Sequence, residues 1–220
     1  MTRRILGLVL ATTCVSSLSA CETEQPSIGC PVQSLVWSVT YKPLEQGSCP
    51  AKAGEQLGIQ KFSTPSGDEQ LSIKPATLQA LDERDPDRLA YSLGALAKES
   101  DAEGFCSAEV AVAEKHAPAV DVENLPPKNI VYRWSNVRIL ATPRAPGTQM
   151  VAELEYTEDG CTAKYEVWGM WPGDVDCADE EGNPSTALCA KAGTINPDFA
   201  TVCDPTQLRC VPAKRPPSLK

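Results

Sequence analysis

Residues 129–170, NIVYRWSNVRILATPRAPGTQMVAELEYTEDGCTAKYEVWGM, decide the fold class. Apolar and polar side chains alternate along three runs, which are separated by the turn-forming segments TPRAPG and TEDG. This period of two predicts three antiparallel strands joined as a meander. In the first strand the large apolar side chains change face between Trp134 and Val137, which predicts a β-bulge at Ser135-Asn136.

The second connection of this meander has two alternatives. A two-residue turn at Asp159-Gly160 would set Glu153 opposite Glu166. A four-residue loop, TEDG, would instead set Glu153 opposite Lys164. Because like charges opposite each other destabilise a sheet, the four-residue loop is favoured.

The chain before the meander adds further strands. The segment QSLVWSVTYK, residues 33–42, alternates over its whole length, and shorter strands are predicted at 57–62, 71–74 and 105–112. Residues 76–99 stay open between a helix that begins at Asp85-Pro86, which is favoured, and a strand in the alternating segment LAYSLGAL. The predicted fold class is therefore mainly β: an antiparallel sheet, as a sandwich or a partly closed barrel, with one helix as an open alternative and a disulfide-stapled C-terminal lobe.

Composition divides the chain into two parts. Residues 30–173 are predicted as the β-rich domain, and residues 174–220, which are rich in proline and cysteine, as an irregular lobe and tail packed on it. Eight cysteines lie in these two parts: Cys30, Cys49, Cys106, Cys161, Cys177, Cys189, Cys203 and Cys210.

An even number of cysteines in an exported chain predicts disulfides, here four. The preferred pairing joins neighbours in sequence and leaves one long bridge: Cys30–Cys49, Cys177–Cys189, Cys203–Cys210 and Cys106–Cys161. No metal site is predicted, because there is no Cys-x-x-Cys pair and one histidine only.

The first residues, MTRRILGLVLATTCVSSLSAC, combine a basic start, a short apolar run and small residues. This is the pattern of a secretory signal peptide over residues 1–20. LSAC at 18–21 further resembles the lipobox of bacterial lipoprotein precursors. The resemblance covers only these 21 residues, and it implies a lipid on Cys21, a tether over residues 21–29 and attachment to a membrane through acyl chains. Cys14 falls in the removed segment. The resemblance also favours the outer membrane over the inner one, because enterobacterial lipoproteins kept at the inner membrane typically carry Asp where this chain has Glu22.

The net charge limits the partners of the mature chain. Loss of Arg3 and Arg4 with the signal peptide leaves 18 basic and 29 acidic residues, a net charge of −11. Such a balance argues against nucleic acid as a partner and against adhesion to anionic lipid through a basic patch. No cofactor is predicted, since P-loop and dinucleotide-binding glycine patterns are missing from the sequence.

Catalytic candidates are few. His116 is the one histidine, and no serine stands in a G-x-S-x-G motif. Two acidic clusters, at 82–87 and 174–181, are interpreted as solvated surface charge rather than calcium sites. The predicted function is a non-catalytic binding or scaffolding role in the cell envelope, with an unidentified protein or small ligand as partner. A lipid-anchored hydrolase and a small-ligand carrier with a hollow barrel are the alternatives.

One group of apolar side chains has two interpretations. Trp168, Met170 and Trp171 follow the polar outward residues of the last meander strand. Either the lobe that begins at Asp174 folds back over them, or they form an exposed patch for a partner. Cover by the lobe is the favoured interpretation.

Overall fold

The computed structural model describes residues 28–45, 49–121 and 124–220. The strands are β1 Leu35–Pro43, β2 Gly54–Ser63, β3 Glu69–Pro75, β4 Ser92–Leu96, β5 Phe105–Val110, β6 Ala113–Ala117, β7 Lys128–Thr142, β8 Ala145–Glu158, β9 Cys161–Met170, β10 Thr201–Asp204 and β11 Arg209–Pro212. The helices are α1 Ala76–Gln79 and α2 Thr186–Lys191. The predicted mainly β, antiparallel fold is confirmed.

The nine strands β1–β9 form one sheet that closes on itself. Consecutive strands pair from β1 to β5, β7 pairs with β8 and β8 with β9, and β9 returns to β1. The ring is completed because β5 also pairs with β7. Strand β6 pairs with the first part of β7, where it continues the line of β5. The sequence left a sandwich and a partly closed barrel open. The sheet forms a barrel, and this barrel is closed.

The length of β7 makes this closure possible. Its residues 128–132 pair with β6 and its residues 137–140 pair with β5. Between these stretches the register with β8 shifts after Ser135, and Asn136 has a positive φ of 49°. A bulge bends a strand and increases its twist. The predicted bulge is confirmed, and it lies where β7 must curve around the barrel.

Large side chains fill the barrel interior. Trp37, Tyr132 and Tyr165 have at most 2% of their surface exposed, and Leu57, Ile59, Leu71, Ile73, Ile130 and Ile139 pack around them. Eight strands enclose an interior just wide enough for side chains to fill. The described strands therefore give the hollow-barrel carrier no support.

The β8–β9 hairpin differs from the favoured prediction. Glu153 lies opposite Glu166, and the turn is the two-residue Asp159-Gly160, whose φ angles are 48° and 84°. Two positive φ angles are typical of the type I′ turn, which matches the twist of the strands. Arg215 offsets the like-charge pair, because its Nε lies 2.6 Å from Glu166. The prediction overlooked this cation because it comes from the lobe.

The helix predicted from Asp85-Pro86 is wrong. Helix α1 ends at Gln79, turns follow, and the alternating segment supplies β4. Gly94 shows why a strand forms here, since a Cβ on this residue would lie 1.9 Å from the carbonyl oxygen of Glu109 in β5. The close contact between β4 and β5 thus requires Gly94, a residue with low helix propensity.

All eight cysteines form disulfides, but the preferred pairing is wrong at every bridge. The bonds are Cys30–Cys106, Cys49–Cys161, Cys177–Cys203 and Cys189–Cys210. Proximity in sequence misled the prediction: Cys203 and Cys210 are opposite each other in β10 and β11, yet each is bonded to a residue outside this pair. Two bridges hold the barrel and two hold the lobe.

The lobe packs on the outer face of β1, β8 and β9. A second apolar cluster joins Phe199 of the lobe to Met170, Val151 and Leu140 of the barrel. The hydroxyl of Ser38 donates a hydrogen bond to the carbonyl oxygen of Cys210. The middle of β1, residues 37–41, is consequently buried on both faces, including the face whose side chains are polar.

Candidate functional site

A glutamate is buried at one end of the barrel interior. Glu55 of β2 is 8% exposed, and its Oε1 accepts hydrogen bonds from the hydroxyls of Tyr41 at 2.8 Å and Tyr132 at 2.5 Å. Its Oε2 accepts the backbone N–H of Thr77 at 2.9 Å. Buried carboxylates need such partners, because an unpaired one would be costly.

A lysine completes this cluster. The Nζ of Lys52 lies 3.4 Å from Oε1 of Glu55 and donates to Oγ1 of Thr77 at 2.7 Å. It also lies 5.2 Å from the ring centroid of Tyr156, a cation–π distance. The cluster of Glu55, Lys52, Thr77, Tyr41 and Tyr132 is therefore satisfied by its own members, as in a structural network.

The two tyrosines are held neutral. Burial, and then the charge of Glu55, raises the pKa of Tyr41 and of Tyr132 well above the ordinary value. Both causes disfavour the phenolate. The hydroxyls therefore act as hydrogen-bond donors and not as bases, and the cluster fits a stabilising role better than proton transfer.

The outer wall of the barrel has a groove in which apolar side chains flank the polar outward side chains of β3, Gln70, Ser72 and Lys74. We use the term outer groove for the depression between Phe62, Pro65, Tyr91 and Leu93, whose volume is about 640 Å³. Phe62 has 42% of its surface exposed. Large apolar groups exposed together on one surface mark interaction sites.

Strand register assembles the outer groove. Phe62 lies opposite Gln70 in β3, and Leu93 lies opposite Ser72, so that side chains of β2, β3 and β4 share the outward face. The opposite face of β3 carries Leu71, which is buried in the barrel. The sequence analysis missed this site because the pairing of three separate strands creates it.

A second depression continues the groove along β4. It shares Tyr91 and Leu93 with the outer groove and adds Leu89 and Val112. Leu89 is 62% and Val112 45% exposed. The apolar surface therefore extends from the β2–β3 connection to the residues between β5 and β6.

His116 lies on β6 with its side chain 42% exposed. Its Nε2 is 3.7 Å from Oε2 of Glu114, two residues away on the same strand. Ser92, which stands in the segment AYSLG, is fully buried. The described residues therefore show His116 beside an acid on an exposed strand surface, an arrangement that gives the hydrolase alternative no geometric support.

Two acidic residues of the first cluster, Asp82 and Asp85, have protein partners. Asp82 lies 3.0 Å from Nζ of Lys74 and 2.8 Å from Nζ of Lys115. Asp85 accepts the backbone N–H of His116 at 2.6 Å. These carboxylates hold the segment between α1 and β4 against the barrel.

In the second cluster, Asp176 lies 3.0 Å from Arg209, and Asp179 accepts the backbone N–H groups of Glu181 and Asn183. Carboxylates used in this way stabilise turns of the lobe. Among the described residues, one close group of metal-ligating types occurs, and it consists of Cys177, Cys189 and Cys210. All three are in disulfides, so they offer no thiolate to a metal.

The lobe covers part of the apolar group after the meander, whereas Trp171 packs against the barrel core. Met170 has no exposed surface and belongs to the cluster shared with the lobe, against which Trp168 also packs. The indole N–H of Trp168 donates to Glu166 at 2.7 Å, and that of Trp171 donates to the carbonyl oxygen of Ser34 at 3.1 Å. An exposed partner patch that includes Met170 is therefore not present in the structure.

Cys21 lies outside the described residues, as do the predicted signal peptide and most of the tether. In the part of the chain that the structure covers, helices with the length and apolar character needed to cross a membrane are not found.

Comparison with known proteins supplies a family for the domain, which the sequence analysis did not recognise. The MlpA family matches residues 35–172, from β1 to just beyond β9. A protein of Myxococcus xanthus named "Putative lipoprotein MlpA" is 35% identical over 240 aligned residues that cover all of both chains. No solved structure matches the chain. The relative supports an exported, membrane-anchored lipoprotein, and the chain belongs to the MlpA family.

Proposed function

We propose that this protein is a non-catalytic binding or scaffolding lipoprotein, anchored in the outer membrane by acyl chains on Cys21. The lipobox LSAC and the lipoprotein relative support the anchor. Two or more acyl chains hold a protein stably on a bilayer. Glu22, which follows the cysteine, supports the outer membrane.

The observation that carries the proposal is that the first described residues of the chain are firmly attached to the barrel. Eight residues separate Cys21 from Cys30. Cys30 is bonded to Cys106 at the start of β5, and its carbonyl oxygen accepts a hydrogen bond from Nζ of Lys61 at 2.9 Å. A lipid on Cys21 would therefore hold a rigid domain within about 30 Å of the membrane, at 3.3–3.6 Å per residue.

Replacement of Cys21 tests the anchor. Cys21→Ser should abolish labelling with a radioactive fatty acid and leave an uncleaved precursor or a protein released from membranes. Cys14→Ser is the matched control, because Cys14 lies in the predicted signal peptide, and it should be labelled like the parent. Normal labelling of Cys21→Ser would refute the anchor, and density separation of labelled membranes tests the outer-membrane assignment.

A second experiment tests the non-catalytic role. His116→Ala, expressed in a strain without the gene, should restore whatever phenotype the wild-type gene restores. The variant is expected to fold, because the side chain of His116 is half-exposed. Failure of His116→Ala at normal protein level would favour the hydrolase.

A further inference from the structure

The outer groove and the start of the described chain lie at the same end of the barrel. The ammonium group of Lys61 reaches the carbonyl oxygen of Cys30, and Lys61 directly precedes Phe62 of the outer groove. Gly29 lies against β4's end, since a Cβ there would be 3.4 Å from the carbonyl oxygen of Lys98. The chain therefore enters the barrel beside one end of the groove.

The β2–β3 connection borders both features. Pro65 of this connection lines the groove, and Asp68 lies 3.3 Å from Nζ of Lys98. The groove then follows the strand direction from Phe62 to Tyr91. On β3 the groove extends over the four steps from Gln70 to Lys74, so it is roughly 13 Å long at about 3.3 Å per residue.

The charges beside the groove are paired. Lys74 contacts Asp82, and Lys98 contacts Asp68. The rim therefore lacks a strong excess of either sign. Such a surface fits an apolar partner better than an anionic or a cationic one.

We propose that the wall formed by β2, β3 and β4 lies against the lipid leaflet that holds the anchor, with the apolar side chains of the outer groove inserted among the lipids. This inference rests on the proposed lipid at Cys21. The eight residues after Cys21 are too short to carry the barrel far from the membrane, and they end beside the groove. Tyr side chains suit the membrane–water interface, and Phe and Leu side chains suit the apolar face of a segment that lies in it.

This arrangement gives the domain a fixed orientation. The acyl chains supply the affinity for the bilayer, and the groove decides which wall of the barrel faces it. The opposite wall, which includes the outward residues of β7 and β8, then faces away from the membrane. Because the rim charges are paired, contact should depend little on salt or on anionic lipid.

Site-specific photocrosslinking of the full-length protein in intact cells tests the contact. A photoreactive phenylalanine analogue replaces Phe62 in one variant and Leu93 in a second. The control carries it at Arg133, whose side chain is 54% exposed on β7. The expected product at 62 and 93 is a phospholipid adduct, identified by mass spectrometry, with little at 133.

A substitution measures the contribution of the groove. In the parent, backbone amides of β2–β4 should exchange their hydrogens more slowly in vesicles than in detergent. Phe62→Ser should reduce this difference in exchange rate by about tenfold. Val202→Ser, at a lobe residue that is 36% exposed, should change nothing. Vesicles of zwitterionic lipid alone should protect these amides as well as vesicles with anionic lipid.

Three results would overturn the inference: a protein adduct at 62, equal lipid adducts at 62 and 133, or unprotected β2–β4 amides in vesicles. In each case fatty-acid labelling of the same sample shows whether the anchor itself is present. A labelled, membrane-bound protein without groove contacts would contradict the orientation and leave the proposed function standing. An unlabelled protein would contradict the proposed function.

Discussion

Cys30 and Cys106 are joined by a disulfide, with Cα atoms 5.7 Å apart, which fixes the end of the predicted tether to the start of β5. The bond closes a segment that includes β1 to β4. A pull on the tether is therefore transmitted to β5, between β4 and β7 in the barrel ring, and not to β1 alone.

The first prediction concerns the connectivity of the disulfides. Digestion without reductant should yield cross-linked peptides for Cys30–Cys106, Cys49–Cys161, Cys177–Cys203 and Cys189–Cys210. Alkylation of the native protein should label none of these cysteines. The same digest after reduction is the control, and a peptide that joins Cys30 to Cys49 would contradict the structure.

The second prediction concerns the buried glutamate. Glu55→Leu removes the acceptor of two tyrosine hydroxyls and should lower the free energy of unfolding by about 1–3 kcal/mol for each hydroxyl left unpaired. Adding Tyr41→Phe and Tyr132→Phe should recover part of this loss. Urea titration measures the free energy of unfolding.

A surface glutamate provides the comparison for this prediction. Glu109 on β5 is exposed, so Glu109→Leu should change the free energy of unfolding by less than about 0.5 kcal/mol. Equal losses for Glu55→Leu and Glu109→Leu would mean that the hydrogen bonds of Glu55 contribute nothing specific.

The third prediction concerns acid. The backbone N–H of Phe105 and the guanidinium of Arg138 lower the pKa of Asp101. A carboxyl whose pKa is lower in the folded state stabilises the protein above its unfolded pKa of about 3.9, and this contribution is lost as the pH falls through the folded pKa.

Asp101→Asn should therefore reduce stability at neutral pH and make the loss of stability below about pH 4 smaller. The exposed Asp87→Asn serves as the matched variant and should change the urea midpoint at neutral pH little, because surface substitutions usually have small effects. Urea midpoints at a series of pH values give the comparison. Parallel curves for the parent and Asp101→Asn would exclude a folded-state shift at this residue.

Only part of the fold could be predicted from the sequence. Alternation is a local property, so β1 and the strands from Lys128 to Met170 were predictable. Closure depends on the pairing of Ala108 with Val137, a contact between distant residues that local periodicity does not encode. The segment LAYSLGAL was ambiguous because the contact that requires Gly94 comes from β5.

The candidate sites were harder to predict from the sequence than the strands. Glu55 resembles a surface residue in sequence, since its tyrosine partners lie 14 and 77 residues away. The outer groove needs the register of β2, β3 and β4, and that register follows from pairing rather than from composition. The disulfide partners were unpredictable for the same reason.

The fourth prediction concerns the lobe. A chain that ends at Gly173 loses Phe199 and exposes Met170 and Trp168. We expect a red shift of tryptophan emission and a lower melting temperature, because burial of each large apolar side chain contributes about 1.5–3 kcal/mol. Val202→Ser, on the lobe surface, should alter neither signal. Unchanged emission in the shortened chain would show that the lobe does not cover these residues.

The hydrogen bond between Asp85 and β6 has a consequence for crowded membranes. Lipoproteins share a two-dimensional surface, where an open strand edge invites pairing between neighbouring molecules. Ring closure removes such edges from most strands, and on β6 the backbone N–H of His116 is occupied by the carboxylate of Asp85. A segment of the chain's own sequence thus occupies a position on the edge of β6 to which a second molecule would add a strand, and this disfavours pairing between neighbouring molecules.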